Sequence, residues 1–450
     1  MSDYMFMLES HLSPGQSRVV AAVEQAAREA GGPLFLIGGA MRDMLGGFPI
    51  TDLDFAVQGN AIALARKVAQ QTGAQILSVD EVRKSAELLF PDGVTAEIGM
   101  ARTERYAKPG GRPQVEAASI HQDLLRRDFT VNSIALSLHP ASRGLLLDPA
   151  NGLGDIQHRE LRANSNSSLF DDPVRLFRLI RLRARLGFTT DSRTQQQYES
   201  AREAGVESLI AAGTLFAELR QIAREPNGAE VMAALDKEGL TPLFSPALSG
   251  PRLNAAALAK LQKARQLIPF GALLKFESLA LFLALLTEKL TRREKAALAK
   301  RLQMSKAEAE SWLKLESQAR PLEKKLQSAS LNRPSLVYEL LSRAAGEQIL
   351  FLYVHSKERP VHDRIRNYLT KYLLTSQEIT DKDVIAAGLE PGSARFAQVK
   401  REMIAARLDG RTWRPETDSP RERLGKRRQR QPHSPALPNN AGPLDARSLA

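Results

Sequence analysis

The chain has 450 residues with 43% hydrophobic content, no cysteine and a formal net charge of +12 at pH 7. This length and hydrophobic content support several domains with apolar cores, and the lack of cysteine excludes disulfides and thiolate metal sites. An excess of positive charge in a chain of this size is typical of proteins that bind a polyanion, with an affinity that salt weakens.

The first predicted strand is the apolar run Leu34–Ile37, which two glycines follow directly. Gly38 and Gly39 have no side chain, so the backbone at this point can approach a polyphosphate closely. Arg42 follows three residues later and would face phosphate oxygens. The segment therefore predicts a glycine-rich turn that binds phosphate.

A second strand is predicted over Leu53–Val57. Because side chains alternate along a strand, Asp52 and Asp54 share one face and Leu53 points to the other. Paired carboxylates are the hard oxygen ligands that suit Mg²⁺, and a two-metal centre holds its ions about 3.5–4 Å apart. We therefore predict that Asp52 and Asp54 are Mg²⁺ ligands; the alternative is a solvated, acidic strand end.

Residues 34–57, LFLIGGAMRDMLGGFPITDLDFAV, resemble the first signature of the class II tRNA nucleotidyltransferases. This family contains the CCA-adding enzymes, enzymes that add only CC or only A, and bacterial poly(A) polymerases. The resemblance implies an α+β protein, in which a polymerase-β-like nucleotidyltransferase head with a mixed sheet precedes an all-α neck, body and tail. It also implies that Gly39 and Arg42 contact the triphosphate.

Residues 94–106 form the next block in family order and are predicted to contain a strand that carries Glu97. In nucleotidyltransferases of this general fold, a neighbouring strand supplies a third carboxylate. The resemblance therefore implies that Glu97 assists Asp52 and Asp54 in catalysis. The alternative is that Glu97 is an alternating polar residue on a half-exposed strand.

Arg126, Arg127 and Asp128 begin a block that ends at Asn132 and resembles the family's RRDFTxN motif. In the family this motif contacts the ribose and helps to select ribonucleotides. The chemistry agrees, because Asp and Asn hydrogen-bond hydroxyl groups and Arg pairs with phosphate. The resemblance assigns Arg127 to phosphate and Asp128 to the ribose; the alternative is an Arg–Asp pair that fixes a helix start.

A turn is predicted over residues 148–155, DPANGLGD, because proline and glycine recur there. It resembles the family's hinge between head and neck. The predicted domains are a nucleotidyltransferase head at 1–158, a helical neck with the base-reading helix at 159–248, a helical, RNA-binding body and tail at 249–410, and a basic, disordered tail at 411–450.

Asp172 and Pro173 predict a helix start, since Asp caps helices and Pro favours their first position. Arg175, Arg178 and Arg181 then recur at a spacing of three along one side of the helix. The block resembles the family's EDxxR motif, whose Asp and first Arg, here Asp172 and Arg175, bind the Watson–Crick edge of the incoming base. Arg178 and Arg181 would reach the triphosphate. The alternative is a helix cap followed by a solvated basic face.

Residues 190–410 have a helical pattern that proline-containing turns interrupt. In the family, the body and tail helices bind the elbow of tRNA. Aromatic residues make up only 6% of the chain, which favours shape and phosphate contacts over base stacking. From Arg411 onward, proline and arginine recur without apolar periodicity, which predicts a disordered tail that either holds RNA loosely or solubilises the chain.

The chain does not begin with a basic segment followed by an apolar one, and its longest apolar helical stretch, at 279–286, is too short to span a bilayer. We therefore expect a cytoplasmic protein without a membrane partner.

The predicted reaction is the addition of C, A or both from CTP and ATP to the 3′ end of tRNA, with Mg²⁺ as cofactor and release of pyrophosphate. The predicted RNA contacts are the 3′ end and the elbow of tRNA. Enzymes that add only CC, only A or poly(A) share these blocks and stay as alternatives. A catalytically inactive RNA-binding protein and an antibiotic-modifying nucleotidyltransferase are alternatives from other classes. The oligomeric state is left open.

Overall fold

The computed structural model describes residues 3–269, 272 and 274–414, and its strands lie in the first half of the chain. The strands are β1 (Leu34–Ile37), β2 (Leu53–Val57), β3 (Gln75–Asp80), β4 (Ser85–Leu89), β5 (Thr95–Met100), β6 (Arg102–Arg105), β7 (Gln114–Ala117), β8 (Ala135–Ser137), β9 (Leu146–Leu147), β10 (Glu160–Leu161) and β11 (Thr189–Thr190). The predicted strands at 34–37 and 53–57 are confirmed with these bounds.

The main sheet has the strand order β3-β4-β5-β2-β1-β8-β9. Strands β2 and β5 are parallel, whereas the other neighbouring pairs are antiparallel. The sheet is therefore mixed, as predicted. We call β1 to β9 with their connections, residues 34–147, the sheet region.

Six helices of the N-terminal part pack around or near this sheet: α1 (Asp3–His11), α2 (Pro14–Ala30), α3 (Gly39–Gly46), α4 (Ala61–Thr72), α5 (Ile120–Leu125) and α6 (Gly152–His158). Helix α3 contacts β1 and β2. On α5, Ile120 and Leu124 join a buried cluster with Phe35 and Ile37 of β1. This packing fixes the segment after α5, which contains Arg126 to Asp128, against the same sheet.

The helices that follow in the chain are α7 (Ser168–Asp171), α8 (Arg175–Leu186), α9 (Ser192–Glu203), α10 (Ala212–Arg224) and α11 (Gly228–Lys237). Helix α8 begins at Arg175, so the prediction that Asp172 and Pro173 begin this helix is wrong. Asp172 instead ends α7 with an extended backbone, φ −130° and ψ 89°. No side chain caps the first turn of α8. The Asp172 carboxylate is therefore not used as a cap.

Two compact units divide the chain. Among the described residues, the first comprises 3–268, 274–328 and 343–366. Beyond α11 it contains α12 (Ala255–Gln266), α13 (Ser278–Leu286), α14 (Arg292–Arg301), α15 (Lys306–Gln327), α17 (Gly346–His355) and nearly all of α18 (Arg359–Asn367), whereas α16 (Pro334–Ser342) lies in the second unit. The helical character predicted for 190–410 is confirmed for these elements.

Among the described residues, the second unit comprises 269, 272, 329–342 and 367–414. Besides α16 it contains a π-helical turn at Tyr368–Tyr372, α19 (Leu373–Gln377), α20 (Asp381–Ala386) and α21 (Ala394–Leu408). Val384, Phe396 and Val399 form a small core of this unit. The predicted four-part domain division stays a prediction, and most of the predicted tail at 411–450 lies outside the described residues.

The most apolar helix, α13, has nine residues, of which seven are buried. Within residues 3–269, 272 and 274–414, no helix combines the length and the apolar character that a bilayer crossing requires.

The predicted turn is confirmed for residues 148–151, whereas residues 152–155 form the start of α6, which begins at Gly152. The Asp148 carboxylate accepts hydrogen bonds from the backbone N–H groups of Gly152 at 2.7 Å and Leu153 at 2.8 Å. A Cβ atom on Gly152 would lie 2.1 Å from the carbonyl oxygen of Thr130. The turn therefore packs directly against the backbone that follows Asp128, while the predicted hinge motion stays a prediction.

We expect Gly152→Ala to lower the free energy of unfolding by about 1–3 kcal/mol, because the added methyl group forces the backbone of Thr130 to move. The measurement is denaturant unfolding followed by circular dichroism. Gly213→Ala is the matched control, since Gly213 also lies in the first turn of a helix and a Cβ there meets no atom within 4 Å. Equal stability of the two variants would contradict this packing.

Candidate active site

One cleft, with a cavity of about 780 Å³, lies between the sheet region and helices α8 and α10. The structure brings all the predicted site residues to its walls. They are Asp52, Asp54 and Glu97, predicted as catalytic, and Gly39, Arg42, Arg127, Asp128, Asp172, Arg175, Arg178 and Arg181, predicted as nucleotide-binding. These residues come from five separate segments of the sequence, so the fold is what brings them together.

Three carboxylates share the strand side of the cleft. Asp54 on β2 is in direct register with Glu97 on the parallel strand β5, and Asp52 lies just before β2. The pKa of Asp54 rises to about 7 because of burial first, then the negative charges of Glu97 and Asp52. The hydroxyl of Thr51 donates to Asp52 Oδ2 at 3.0 Å. This corner of the cleft holds an excess of negative charge.

The glycine turn brings backbone close to these acids. Gly38 has a φ of +66°, a conformation that glycine adopts readily. A Cβ on Gly38 would lie 3.3 Å from Arg127 Nη1 and 3.4 Å from Asp54 Oδ2. At Gly39 it would lie 3.5 Å from Arg42 Nη2. A side chain at either position would therefore occupy the space in which the arginines and the carboxylate approach each other.

Arg42 is buried, and neighbouring side chains hold its guanidinium. Its Nε donates to Asp43 Oδ1 at 2.9 Å, and its Nη1 donates to Asn132 Oδ1 at 2.7 Å. Burial lowers the pKa of Arg42, although Asp43 opposes that effect. The orientation of Arg42 is therefore set by protein partners before any phosphate is bound, and its predicted phosphate contact stays a prediction.

Arg126 and Arg127 are both held by Asp123, a fully buried residue that sequence reasoning missed. Arg126 Nη2 donates to Asp123 Oδ1 at 2.6 Å, and Arg127 Nη2 donates to Asp123 Oδ2 at 2.8 Å. Burial alone would raise the pKa of Asp123, but the two arginines hold it at about 2. The signal was local, because Asp123 on α5 precedes two arginines at the end of that helix by three and four residues and is placed to pair with both.

Asp128 links the sheet region to α8. Its Oδ2 lies 2.8 Å from Arg178 Nη2, and its Oδ1 accepts from Asn132 Nδ2 at 3.1 Å. Burial would raise the pKa of Asp128, but Arg178 and Arg175 together with the hydrogen bonds hold it at about 2. Asp128 is therefore an ionised acceptor at neutral pH.

Asp172 and Arg175 lie together where α7 ends and α8 begins. Arg175 Nη1 donates to Ser168 Oγ at 2.7 Å and Nη2 donates to the carbonyl oxygen of Arg126 at 3.1 Å. Arg175 Nε lies 3.9 Å from Asp172 Oδ2. Burial raises the pKa of Asp172, although Arg175 and Arg178 oppose this. The pair offers an acceptor and a donor side by side, which is what the reading of a base edge requires.

Arg181 is buried and forms ion pairs with two glutamates, one on α10 and one at the end of that helix. Its Nε donates to Glu218 Oε1 at 2.6 Å and its Nη1 donates to Glu225 Oε1 at 2.7 Å. Burial would lower the pKa of Arg181, but the two carboxylates outweigh it and raise that pKa. Sequence reasoning missed both glutamates. Arg181 thus joins α8 to α10, and its predicted contact with the triphosphate stays a prediction.

The match to known families begins with the sheet region. A family model described as the Poly A polymerase head domain matches residues 34–162. An A-adding tRNA nucleotidyltransferase of Geobacter sulfurreducens is 28% identical over 386 residues, covering 84% of this chain and 43% of the relative. A CC-adding tRNA nucleotidyltransferase of Deinococcus radiodurans is 35% identical over 206 residues, covering 46% of this chain and 54% of the relative. Residues 34–162 are thus similar to the head domain of this family, and the relatives that the chain resembles are tRNA nucleotidyltransferases.

The family likeness extends to the fold. The solved apo form II of a CCA-adding enzyme matches with a TM-score of 0.52 and 23% identity, covering 95% of this chain and 99% of that chain. The predicted polymerase-β-like head with a mixed sheet is confirmed. The remainder is mostly helical rather than all-α, because the short strands β10 and β11 pair within the predicted neck. The chain spans less than half the length of the A-adding relatives that it matches.

Members of the nucleotidyltransferase family generally use divalent metal ions. The donor set here fits such an ion, since Asp54 and Glu97 are neighbours on parallel strands and their mutual repulsion favours a cation between or beside them. Among the described residues, no group of three or more His, Cys, Asp or Glu side chains is already arranged as a metal site. Mg²⁺ is commonly held by only one or two carboxylates, with substrate phosphates and water as further ligands.

We expect Asp123→Asn to lower the free energy of unfolding at pH 7 by about 2 kcal/mol or more, because two buried arginines lose their shared anion. The folded pKa of about 2 lies below the ordinary 3.8, so this stabilisation is present above about pH 4 and is lost as the pH falls toward 2.

The measurement is denaturant unfolding of both proteins from about pH 7 to about pH 2, and the difference in stability should shrink over the lower end of this range. The control is Asp92→Asn, which removes a partly exposed pair with Arg18 and should change stability by less than about 1 kcal/mol. A constant difference at all pH values would contradict the assignment.

Proposed function

We propose that this protein is a template-independent RNA nucleotidyltransferase that adds C, A or both from CTP and ATP to the 3′ end of tRNA. The observation that carries the proposal is the meeting of three carboxylates, on Asp52, Asp54 and Glu97, with the Asp172–Arg175 pair in one cleft. The names of the relatives, which are A-adding, CC-adding and multifunctional CCA proteins, support tRNA as the acceptor.

In the proposed reaction, the 3′ hydroxyl oxygen of the RNA forms a bond to the α-phosphorus of the nucleotide. The bond from that phosphorus to the oxygen bridging to the β-phosphate breaks, pyrophosphate leaves with the electron pair, and the hydroxyl proton goes to solvent. Asp52 and Asp54 would hold Mg²⁺, with Glu97 assisting. The chemistry that Mg²⁺ supplies when bound is activation of the hydroxyl and neutralisation of the triphosphate.

The remaining residues would bind and orient the nucleotide. Gly39, Arg42, Arg178 and Arg181 are assigned to the triphosphate, Arg127 to phosphate and Asp128 to the ribose. Most of these side chains are held by protein partners, so they would be ordered before the nucleotide arrives. Such ordering lowers the barrier through positioning and fixed charge without a covalent intermediate.

Asp172 and Arg175 would select the base. A carboxylate accepts from the exocyclic amine that C and A share, and a guanidinium donates to ring acceptors. The protein then serves as the template, and one pocket favours C and A over G and U. We also propose that the chain divides into parts that end at residues 158, 248 and 410. The helical part at 249–410 would bind the elbow of tRNA, and the protein would act in the cytoplasm.

An enzyme that adds only A or only CC is the second candidate, because relatives that match 84%, 43% and 46% of this chain carry those names. A poly(A)-adding enzyme is a third. An inactive RNA-binding protein is disfavoured, since the chain keeps all three carboxylates in one cleft.

The test is incorporation by the purified protein on tRNA ending before CCA, tRNA ending in CC, and unstructured RNA, each with CTP, ATP or both. We expect C or A on tRNA only. Asp52→Asn and Asp54→Asn should each lower the rate by at least about 10³-fold, because metal coordination is lost, while tRNA binding in a gel-shift assay is retained. Asp92→Asn is the matched surface control. Full incorporation by both site variants, or extension of unstructured RNA alone, would contradict the proposal.

Asp172→Ala should reduce the preference for C and A over G and U by about 5- to 100-fold, since a specific base-edge contact is worth about 1–3 kcal/mol. The measurement is kcat/KM for each of the four nucleotides. Glu230→Ala is the control for general effects of removing an acid, because Glu230 is an exposed residue in the first turn of α11. If Asp172→Ala selects nucleotides as the wild type does, Asp172 does not take part in base recognition.

A further inference from the structure

Helix α8 is held by the sheet region at both of its ends. Near its start, Arg178 Nη2 lies 2.8 Å from Asp128 Oδ2. Near its end, Arg185 Nη2 donates to Asp43 Oδ2 at 2.6 Å. Seven residues separate the two arginines, which is about 10 Å along a helix. Two attachments this far apart fix the direction of a helix axis, whereas one attachment leaves it free to pivot.

Asp43 is the centre of the second attachment. It lies on α3, is 1% exposed, and divides its two oxygens between two arginines. Oδ1 accepts from Arg42 Nε at 2.9 Å, and Oδ2 accepts from Arg185. The residue that bears the predicted triphosphate contact, Arg42, and the far end of the base-reading helix therefore share one buried carboxylate.

Arg185 is itself held from a second side. Its side chain is 10% exposed, and its Nε lies 3.5 Å from Glu225 Oε2. Glu225 Oε1 also accepts from Arg181 at 2.7 Å. Cations and anions thus alternate from α3 through α8 to the end of α10. Removing one buried member of such a set leaves an uncompensated charge and disturbs its neighbours.

We propose that Asp43 and Arg185 are positioning residues that fix the base-reading helix α8 against the triphosphate-binding helix α3 and so set the nucleotide selectivity of the enzyme. This inference rests on the proposed function. Reading a base by hydrogen bonds requires that the base edge and the triphosphate be held at one fixed separation. Hydrogen bonds weaken steeply with changes in distance and angle, so a pivot of α8 would lower both the rate and the discrimination.

The experiment compares Arg185→Met, Arg185→Lys and Arg183→Gln in full-length protein. Arg183 is the matched control, because it lies on the same helix and its pair with Glu238 at 3.1 Å stays among the helices. The readout is the ratio of kcat/KM for CTP or ATP to that for GTP or UTP, with kcat and the KM for tRNA measured separately. Thermal unfolding midpoints report whether each variant is folded.

We expect Arg185→Met to lower the selectivity ratio and kcat by about tenfold or more, with an unchanged KM for tRNA. Arg185→Lys keeps a cation beside Asp43 and should restore most of the ratio, and Arg183→Gln should match the wild type. If Arg185→Met does not fold, Arg185→Gln, which removes only the charge and one donor group, is measured in its place with the same expectation.

This inference is overturned if Arg185→Met or Arg185→Gln folds and keeps the wild-type ratio of kcat/KM values, provided that the wild type incorporates C or A. A fall in kcat with no change in the ratio overturns it as well, since that outcome indicates a structural role only. A wild-type protein that incorporates no nucleotide contradicts the proposed function and this inference together.

Discussion

Asp54 and Glu97 lie side by side on parallel strands, and burial together with their mutual repulsion raises the pKa of Asp54 to about 7. Like charges in a partly buried cleft require compensation, and the cleft supplies arginines around them. Arg127 and Arg42 both lower the cost of that negative charge. The same crowding makes the corner a fitting place for a divalent cation and a triphosphate, which complement carboxylates and arginines respectively.

The arginines of the cleft are themselves held by carboxylates behind them. Asp123 holds Arg126 and Arg127, Asp43 holds Arg42, and Glu218 with Glu225 holds Arg181. A guanidinium paired in this way still has N–H groups for a phosphate, but its position is fixed in advance. Positioning and preorganised charge are what phosphoryl and nucleotidyl transfer need most from a protein. The ion pairs therefore connect the packing of the fold to the proposed chemistry.

Local sequence patterns predicted β1, β2, the turn after Asp148 and the neighbouring positions of Asp52 and Asp54, because each depends on residues a few positions apart. They failed at Asp172, where a helix-capping pattern was overridden by an extended backbone. They could not reveal the pair of Arg185 with Asp43, which lie 142 positions apart, since a repeated arginine on a helix does not show which acid will face it. The parallel register of β2 and β5 is equally a product of the fold.

The central claim is that one cleft binds the triphosphate at the carboxylates and the base at the start of α8. A crystal structure with Mg²⁺ and a non-hydrolysable CTP or ATP analogue tests it most directly. We expect phosphates beside Gly39 and Asp54, with the exocyclic amine of the base within hydrogen-bond distance of Asp172. A nucleotide bound in the reverse direction, or bound away from Asp52 and Asp54, would contradict it.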